Sequence, residues 1–246
     1  MSDILLIGES WIRNTTDVKG FDSFTYSSYG VGTEWIERAV TSAGHRFHHL
    51  PAHLVDAQWP ELDKYDAVLL SDVGANTFML TAQCWERATP TINPLTQIVD
   101  YVRAGGGFAM IGGYLSFAGL ENRAAYANTP IAEVLPVTIA AADDRVELPQ
   151  GVDPTTAHPD HAALGGAQTF GPLLGYNRLV ARDGGDVLLN VGADPILVTW
   201  PYGEGRALAY ASDCSEHWAS RQYLDSQDYS RLWGGLVTWL INGKEN

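Results

Sequence analysis

Apolar positions in the first half of the chain fall into short runs bounded by glycine, proline or acids. Residues 3–7 form one such run, closed by Gly8. A four- to eight-residue apolar run between turn signals predicts a buried strand. Residues 34–43 change period: Trp35, Ile36, Ala39 and Val40 recur at helical spacing and stop at Gly44. Residues 46–50 predict a second strand. Residues 67–72 predict a third, which ends in Asp72. Residues 73–93 are a long polar connection, long enough to suggest a functional or oligomer-facing loop. Pro94 starts a helix with Ile98, Val99 and Val102 on one face, and Gly105-Gly106-Gly107 ends it. Residues 108–111 predict a fourth strand. Strands alternating with helices in this order predict a parallel sheet covered on both faces.

The second half has a different rhythm. Residues 130–135 predict a helical turn, and residues 137–140 and 146–148 predict short strands. Residues 149–172 are rich in Pro, Gly, Ala and His and predict loop. Four short strands are expected at 177–181, 186–191, 196–200 and 206–212. Gly184-Gly185 and Tyr202-Gly203-Glu204-Gly205 are hairpin turns by composition. These strands read as an antiparallel extension of the sheet. A final helix is expected over residues 229–242. No linker-like segment divides the halves, so one domain over residues 1–246 is expected. The fold class that results is α/β, with a mostly parallel sheet, helices on both faces and an antiparallel C-terminal extension.

Composition narrows the function classes. At 246 residues and 46% hydrophobic, the chain can bury a full core. Its net charge of -14 argues against nucleic acid and anionic membrane surfaces as partners. No apolar run approaches the ~20 residues of a membrane span. The N-terminus enters a strand without a basic segment, so no signal peptide is expected. Cys84 and Cys214 are far apart and form no CxxC, which suggests reduced thiols in a cytoplasm. Eight tryptophans and eleven tyrosines exceed what the expected core uses, and self-association into a homo-oligomer is expected from them.

The candidate chemistry gathers where strands end. Residues 105–119 read as a turn, a buried strand and a Gly112-Gly113 exit, the frame in which α/β folds present a nucleophile. Gly106–Phe117, with Thr129–Val137, Leu174–Arg178, Tyr202–Arg206 and Ser212–Trp218, make the chain resemble the class I glutamine amidotransferase-like proteins. Within them it is most similar to a branch near the trehalose-utilisation-type proteins. The resemblance implies a flavodoxin-like sheet with its site at the strand carboxyl ends. It also implies an elbow cysteine, a histidine followed two residues later by glutamate, and backbone N–H groups that hold an oxyanion. Here the elbow positions are Gly112, Gly113 and Tyr114, and the late loop carries Asp213, Cys214, Glu216 and His217. A chain without standard thiol-dependent glutaminase chemistry is therefore expected, one that binds a small polar metabolite or a partner.

Ser116 is the hydroxyl nearest the elbow. As a nucleophile it would need His217, oriented by Asp213 or Glu216; otherwise it is a turn serine satisfying backbone donors. Cys214 is either a displaced nucleophile or an inert buried thiol. A hydrolase using Ser116 or Cys214 with His217 on a small amide, ester or sugar derivative is the alternative. Glu9 and Asp72 follow the first and third strands and border the expected crevice, where Gly112, Gly113 and Tyr114 would also line a ligand site. A metal-dependent reading would draw on Asp72, Asp213 and histidines, but His48 and His49 cannot share one strand face. No metal ligand is assigned and no cofactor is expected. Gly105–Gly107 is no phosphate loop, because the glycines precede a strand.

Overall fold

A computed structural model describes residues 1–242. The elements in chain order are β1 (Asp3–Gly8), β2 (Ser10–Lys19), β3 (Asp22–Val31), α1 (Glu34–Ser42), β4 (Arg46–Leu50) and β5 (Ala67–Ser71). There follow α2 (Asn76–Met79), α3 (Ala82–Trp85), α4 (Pro94–Arg103), β6 (Gly107–Ile111), α5 (Ile131–Val134), β7 (Val137–Thr138) and β8 (Arg145–Val152). The last elements are β9 (Leu173–Asn177), β10 (Val180–Ala181), β11 (Asp186–Val191), β12 (Asp194–Tyr202), β13 (Gly205–Tyr210), α6 (Arg221–Leu224) and α7 (Gln227–Ile241).

Seven strands form the central sheet in the order β11-β12-β13-β6-β5-β1-β4. The five from β4 to β13 are parallel, and β12 and β11 run antiparallel at one edge. The parallel order is flavodoxin-like, with its reversal between β1 and β5, so a crevice opens at their carboxyl ends. β1, β5 and β6 are near-continuous apolar runs because both faces are covered. α1 and α7 pack together on one face, while α4 packs with α2 and α5 on the other. Trp35, Ile36, Ala39 and Val40 are the buried face of α1, as their spacing predicts. Asn93 caps α4 by accepting the Leu95 N–H, with Pro94 at its first turn. One continuous hydrophobic cluster runs from Ile4 to Leu240.

Four expectations are corrected. β13 belongs to the parallel core, because it pairs with β6 in parallel, and the antiparallel extension is β11 and β12 alone. Gly184-Gly185 is not a hairpin turn: it joins β10, which pairs with β7, to β11, which pairs with β12. Residues 73–93 contain the short helices α2 and α3 rather than unbroken loop. Residues 10–31, which carried no predicted element, form a ten-residue hairpin, β2–β3, paired only with itself. Its two-residue turn places Gly20 at φ 66° ahead of Phe21, as a II′ hairpin turn requires. The last four residues of the expected domain, 243–246, lie outside the described residues.

Candidate functional site

Strand ends set the site. Glu9 follows β1 and Asp72 follows β5, both in the left-handed region at φ 43° and 44°. Non-glycine residues held there cost of order 1 kcal/mol or more and concentrate at functional sites. Gly113 follows β6 at φ 151°, and Asp213 and Cys214 follow β13. The sheet thus brings Glu9, Asp72, Gly113 and the Asp213 loop to one edge.

The elbow is held by a polar rack. Asn177 Oδ1 accepts the Gly113 N–H at 3.0 Å, and its Nδ2 donates to Gly113 O and to Asp144 Oδ1. The Asp144 carboxylate also accepts the N–H groups of Ala118 and Gly119. The Leu115 N–H donates to Asp72 Oδ1 at 2.7 Å. Two of the backbone donors that could face an oxyanion are therefore already used, one of them by a carboxylate. A Cβ built on Gly113 would lie 2.8 Å from Asp72 Oδ1, so Asp72 occupies the space beside the elbow.

Below this lies a sealed acidic cluster. Glu9 Oε1 accepts the Ser71 hydroxyl at 2.7 Å, and Ser71 Oγ is 3.6 Å from Cys214 Sγ. Asp213 Oδ1 accepts both the N–H and the hydroxyl of Ser215. Burial and the neighbouring carboxylates of Asp213 and Asp72 push the Glu9 pKa well above the ordinary range. Burial, with Glu9 and Asp213 beside it, pushes the Cys214 thiol up as well. Cys214 is therefore a thiol and not a thiolate at neutral pH. Glu9, Asp213 and Cys214 each offer a ligand atom within 4.8 Å of the others, a group among the described residues that could hold a metal ion.

Above the cluster the site opens to solvent. His217 Nδ1 lies 3.3 Å from Asp213 Oδ2, with the histidine side chain 43% exposed and the aspartate fully buried. The polar contact with Asp213 raises the His217 pKa, against the opposing effect of burial. The His217 ring lies between two aromatic side chains, stacked with Tyr114 at 6.3 Å and tilted to Trp11 at 5.5 Å. Trp11 reaches this position by lying across Gly30 on the paired strand, where any side chain would collide with its indole. Burial and Asp213 raise Asp72 to about 6, partly offset by the Leu115 N–H and by His217. A carboxyl that titrates at about 6 and a histidine with a raised pKa thus share one opening, an arrangement suited to acid–base chemistry.

The predicted residues separate into two sets. Glu9, Asp72, Gly113, Tyr114, Asp213 and His217 gather as expected around the strand ends, with Gly112 beneath them. Ser116 is buried, and its Oγ accepts the Asp72 N–H at 3.1 Å, a backbone-satisfying role. Cys214 faces Ser71 and Glu9. No hydrogen bond joins His217 to Ser116 or Cys214 among the described residues, so the expected nucleophile–histidine pair is not formed. Sequence reasoning missed Asn177, Asp144, Ser71 and Ser215. Asn177 stands in a block that carries the resemblance, and that block was the available signal.

Native thiol titration should find one reactive cysteine per chain, because Cys84 is exposed and Cys214 is fully buried. Two should react after unfolding. Rapid native labelling of Cys214 would contradict its sealed position.

The match to known proteins agrees with this geometry. Residues 3–242 match the family model described as "Putative glutamine amidotransferase". The chain belongs to this glutamine amidotransferase-like family. Among solved structures it is similar to cytoplasmic protein STM3548 from Salmonella typhimurium, at 40% identity and a TM-score of 0.93, covering 98% of this chain and 99% of that one. Cytoplasmic protein STM1381 from Salmonella typhimurium LT2 is 41% identical, with a TM-score of 0.92 and coverage of 97% and 99%. A ThuA-like protein from Parabacteroides merdae shares the fold at 11% identity and a TM-score of 0.57, covering 99% and 91%. No curated protein matches the sequence. No described helix of this amidotransferase-like chain is long and apolar enough to cross a membrane.

Proposed function

We propose that this amidotransferase-like protein binds a small polar metabolite at the carboxyl ends of β1, β5, β6 and β13 and has no thiol-dependent glutaminase activity. The placement of Asp72 carries the reading. Its carboxylate takes the Leu115 N–H and fills the space beside Gly113, where a nucleophile and its oxyanion would have to sit. The one thiol near the site is protonated and sealed below it. What faces solvent is a carboxyl with a pKa of about 6, a histidine backed by a buried aspartate, and aromatic walls. Such a site suits a ligand with amino or hydroxyl groups that donate to Asp72 and an apolar face that lies against Tyr114 and Trp11. His217 and Asp72 would then trade a proton with the ligand, giving an acid–base role without a covalent intermediate. Its Salmonella relatives are described as cytoplasmic, and the same compartment is proposed for this chain.

A thermal-shift and calorimetric screen of small amines, amides and sugar derivatives tests the proposal. At least one class should bind, and His217→Ala should weaken it at least tenfold while leaving the unliganded melting temperature within about 2 °C, as for other exposed changes. Ammonia release from glutamine should stay at background. Glutamine hydrolysis that disappears in Cys214→Ser or Ser116→Ala would overturn the reading.

A further inference from the structure

The β2–β3 hairpin stands apart from the central sheet. It is a two-stranded sheet of its own, and its ten-residue strands reach about 33 Å at ~3.3 Å per residue. Isolated two-stranded hairpins are marginal in water. Its base meets the body: Trp11 lies beside His217, Tyr29 against His53, and Ser10 Oγ accepts the Ala52 N–H. Both faces carry large apolar side chains with much of their surface in water. Ile12, Val18 and Tyr29 lie on one face by register, Phe24 and Tyr26 on the other, and Phe21 sits at the tip. Each is at least half exposed, and Phe21 is completely so. Large apolar side chains held in water on both faces of one arm mark an interaction site.

We propose that the hairpin is an assembly arm whose occupant is a second copy of this chain. Three observations select that partner. The first is area. The four aromatic and two aliphatic side chains together expose roughly 700 Å² over both faces and the tip, close to the ~800 Å² per partner of a stable interface for a copy that packs on both faces. The second is charge. The chain carries -14, so two copies repel over most of their surface. The arm's Arg13 and Lys19 balance Asp17 and Asp22, leaving a neutral strip on which like molecules can meet. A basic partner would instead be drawn to the acidic body. The third is the backbone. Both outer edges of the hairpin carry N–H and C=O groups unused by its own ladder. Antiparallel pairing of one edge with its own copy across a two-fold axis satisfies both chains with the same surface. The arm's first residues also carry Trp11 against His217, so assembly would brace one wall of the site.

Sedimentation equilibrium of the purified chain over about 1–100 μM tests the proposal, with Phe24→Glu/Tyr26→Glu and Phe21→Ser/Val18→Ser variants. The wild type should be a dimer or a higher closed oligomer. At least one arm variant should weaken association at least a hundredfold, with an unchanged circular dichroism spectrum and a melting temperature measured in the dissociated state within a few degrees. A monomeric wild type at 100 μM would overturn the proposal and leave the arm to a different protein. An oligomer that both variants leave intact would overturn it equally. Neither result by itself overturns ligand binding at His217, which the calorimetric screen tests separately.

Discussion

Gly112→Ala should destabilise the fold severely. A Cβ at this position would stand 2.1 Å from Ala211 O and 2.5 Å from its carbonyl carbon. Both are backbone atoms of the segment that leaves β13, so no side-chain rotation relieves the clash. Gly112 N–H donates to Tyr210 O at 2.8 Å, and Asn177 N–H donates to Ala211 O at 2.8 Å. Parting the two segments would therefore break the hydrogen bonds that set the elbow against the Asp213 loop. The cost should be about 4 kcal/mol or more, the range reserved for unrelievable packing faults. For a chain of this size that is a fall of about 8–16 °C in melting temperature and a heavy loss of soluble protein. Gly166→Ala is the control. Gly166 has φ 76° with no atom near its missing Cβ, so only backbone strain of about 1 kcal/mol is at stake. Equal tolerance of both substitutions would show that the elbow is not packed against the late loop as described.

The parallel core was legible because its signals are local. β1, β5 and β6 are apolar runs between turn residues, and α1 and α4 carry their buried faces at helical spacing. The hairpin was not legible, because its strands lack the one-sided alternation that burial imposes. Apolar residues occur on both faces, interleaved with Ser, Thr and Asn, and only Gly20 at the turn hinted at it. β13 was placed in the wrong part of the sheet because a strand's sequence does not record its partner's direction.

In the site, Glu9, Asp72, Asp213 and His217 could be named from strand ends alone. What could not be read was which atoms each would face. The Ser116 hydroxyl satisfies the Asp72 amide rather than His217. Asn177 and Asp144, distant in sequence from the elbow, hold its backbone. A polar residue's role is set by long-range packing that no local pattern encodes. The same packing explains why the elbow lacks a nucleophile. Small residues at Gly112 and Gly113 let Ala211 and Asp72 approach, and the approach leaves no room for a thiol.

Asp72→Asn should stabilise the protein and disable it together. An ordinary aspartate in the unfolded chain titrates near 3.8, whereas Asp72 in the fold titrates at about 6, chiefly through burial and then through Asp213. Between those values the folded chain holds a proton that the unfolded chain has released. Stability therefore falls as pH rises through that window, and the full cost, about 3 kcal/mol at 1.36 kcal/mol per unit, is present above it. Asparagine keeps an oxygen for the Leu115 N–H, tolerates the left-handed backbone at φ 44° and carries no charge. The variant should match the wild type near pH 4 and exceed it by about 2–3 kcal/mol at pH 8, read by urea unfolding at both values. Removing the Asp72 charge also takes away one of the interactions that raise the His217 pKa, so that pKa should fall in an NMR titration. Raised His217 works in the same direction on stability, since the benefit of its protonated form is full below 6.5 and lost as pH rises through its folded pKa. The variant should bind the metabolite at least tenfold more weakly. An Asp72→Asn protein that is no more stable at pH 8 than the wild type would show that this carboxyl is not held against its charge. The molecule keeps three carboxyl groups at the carboxyl ends of β1, β5 and β13 although one amide would make it firmer, a cost that the proposed function accounts for if Asp72 must lose and regain a proton near neutral pH.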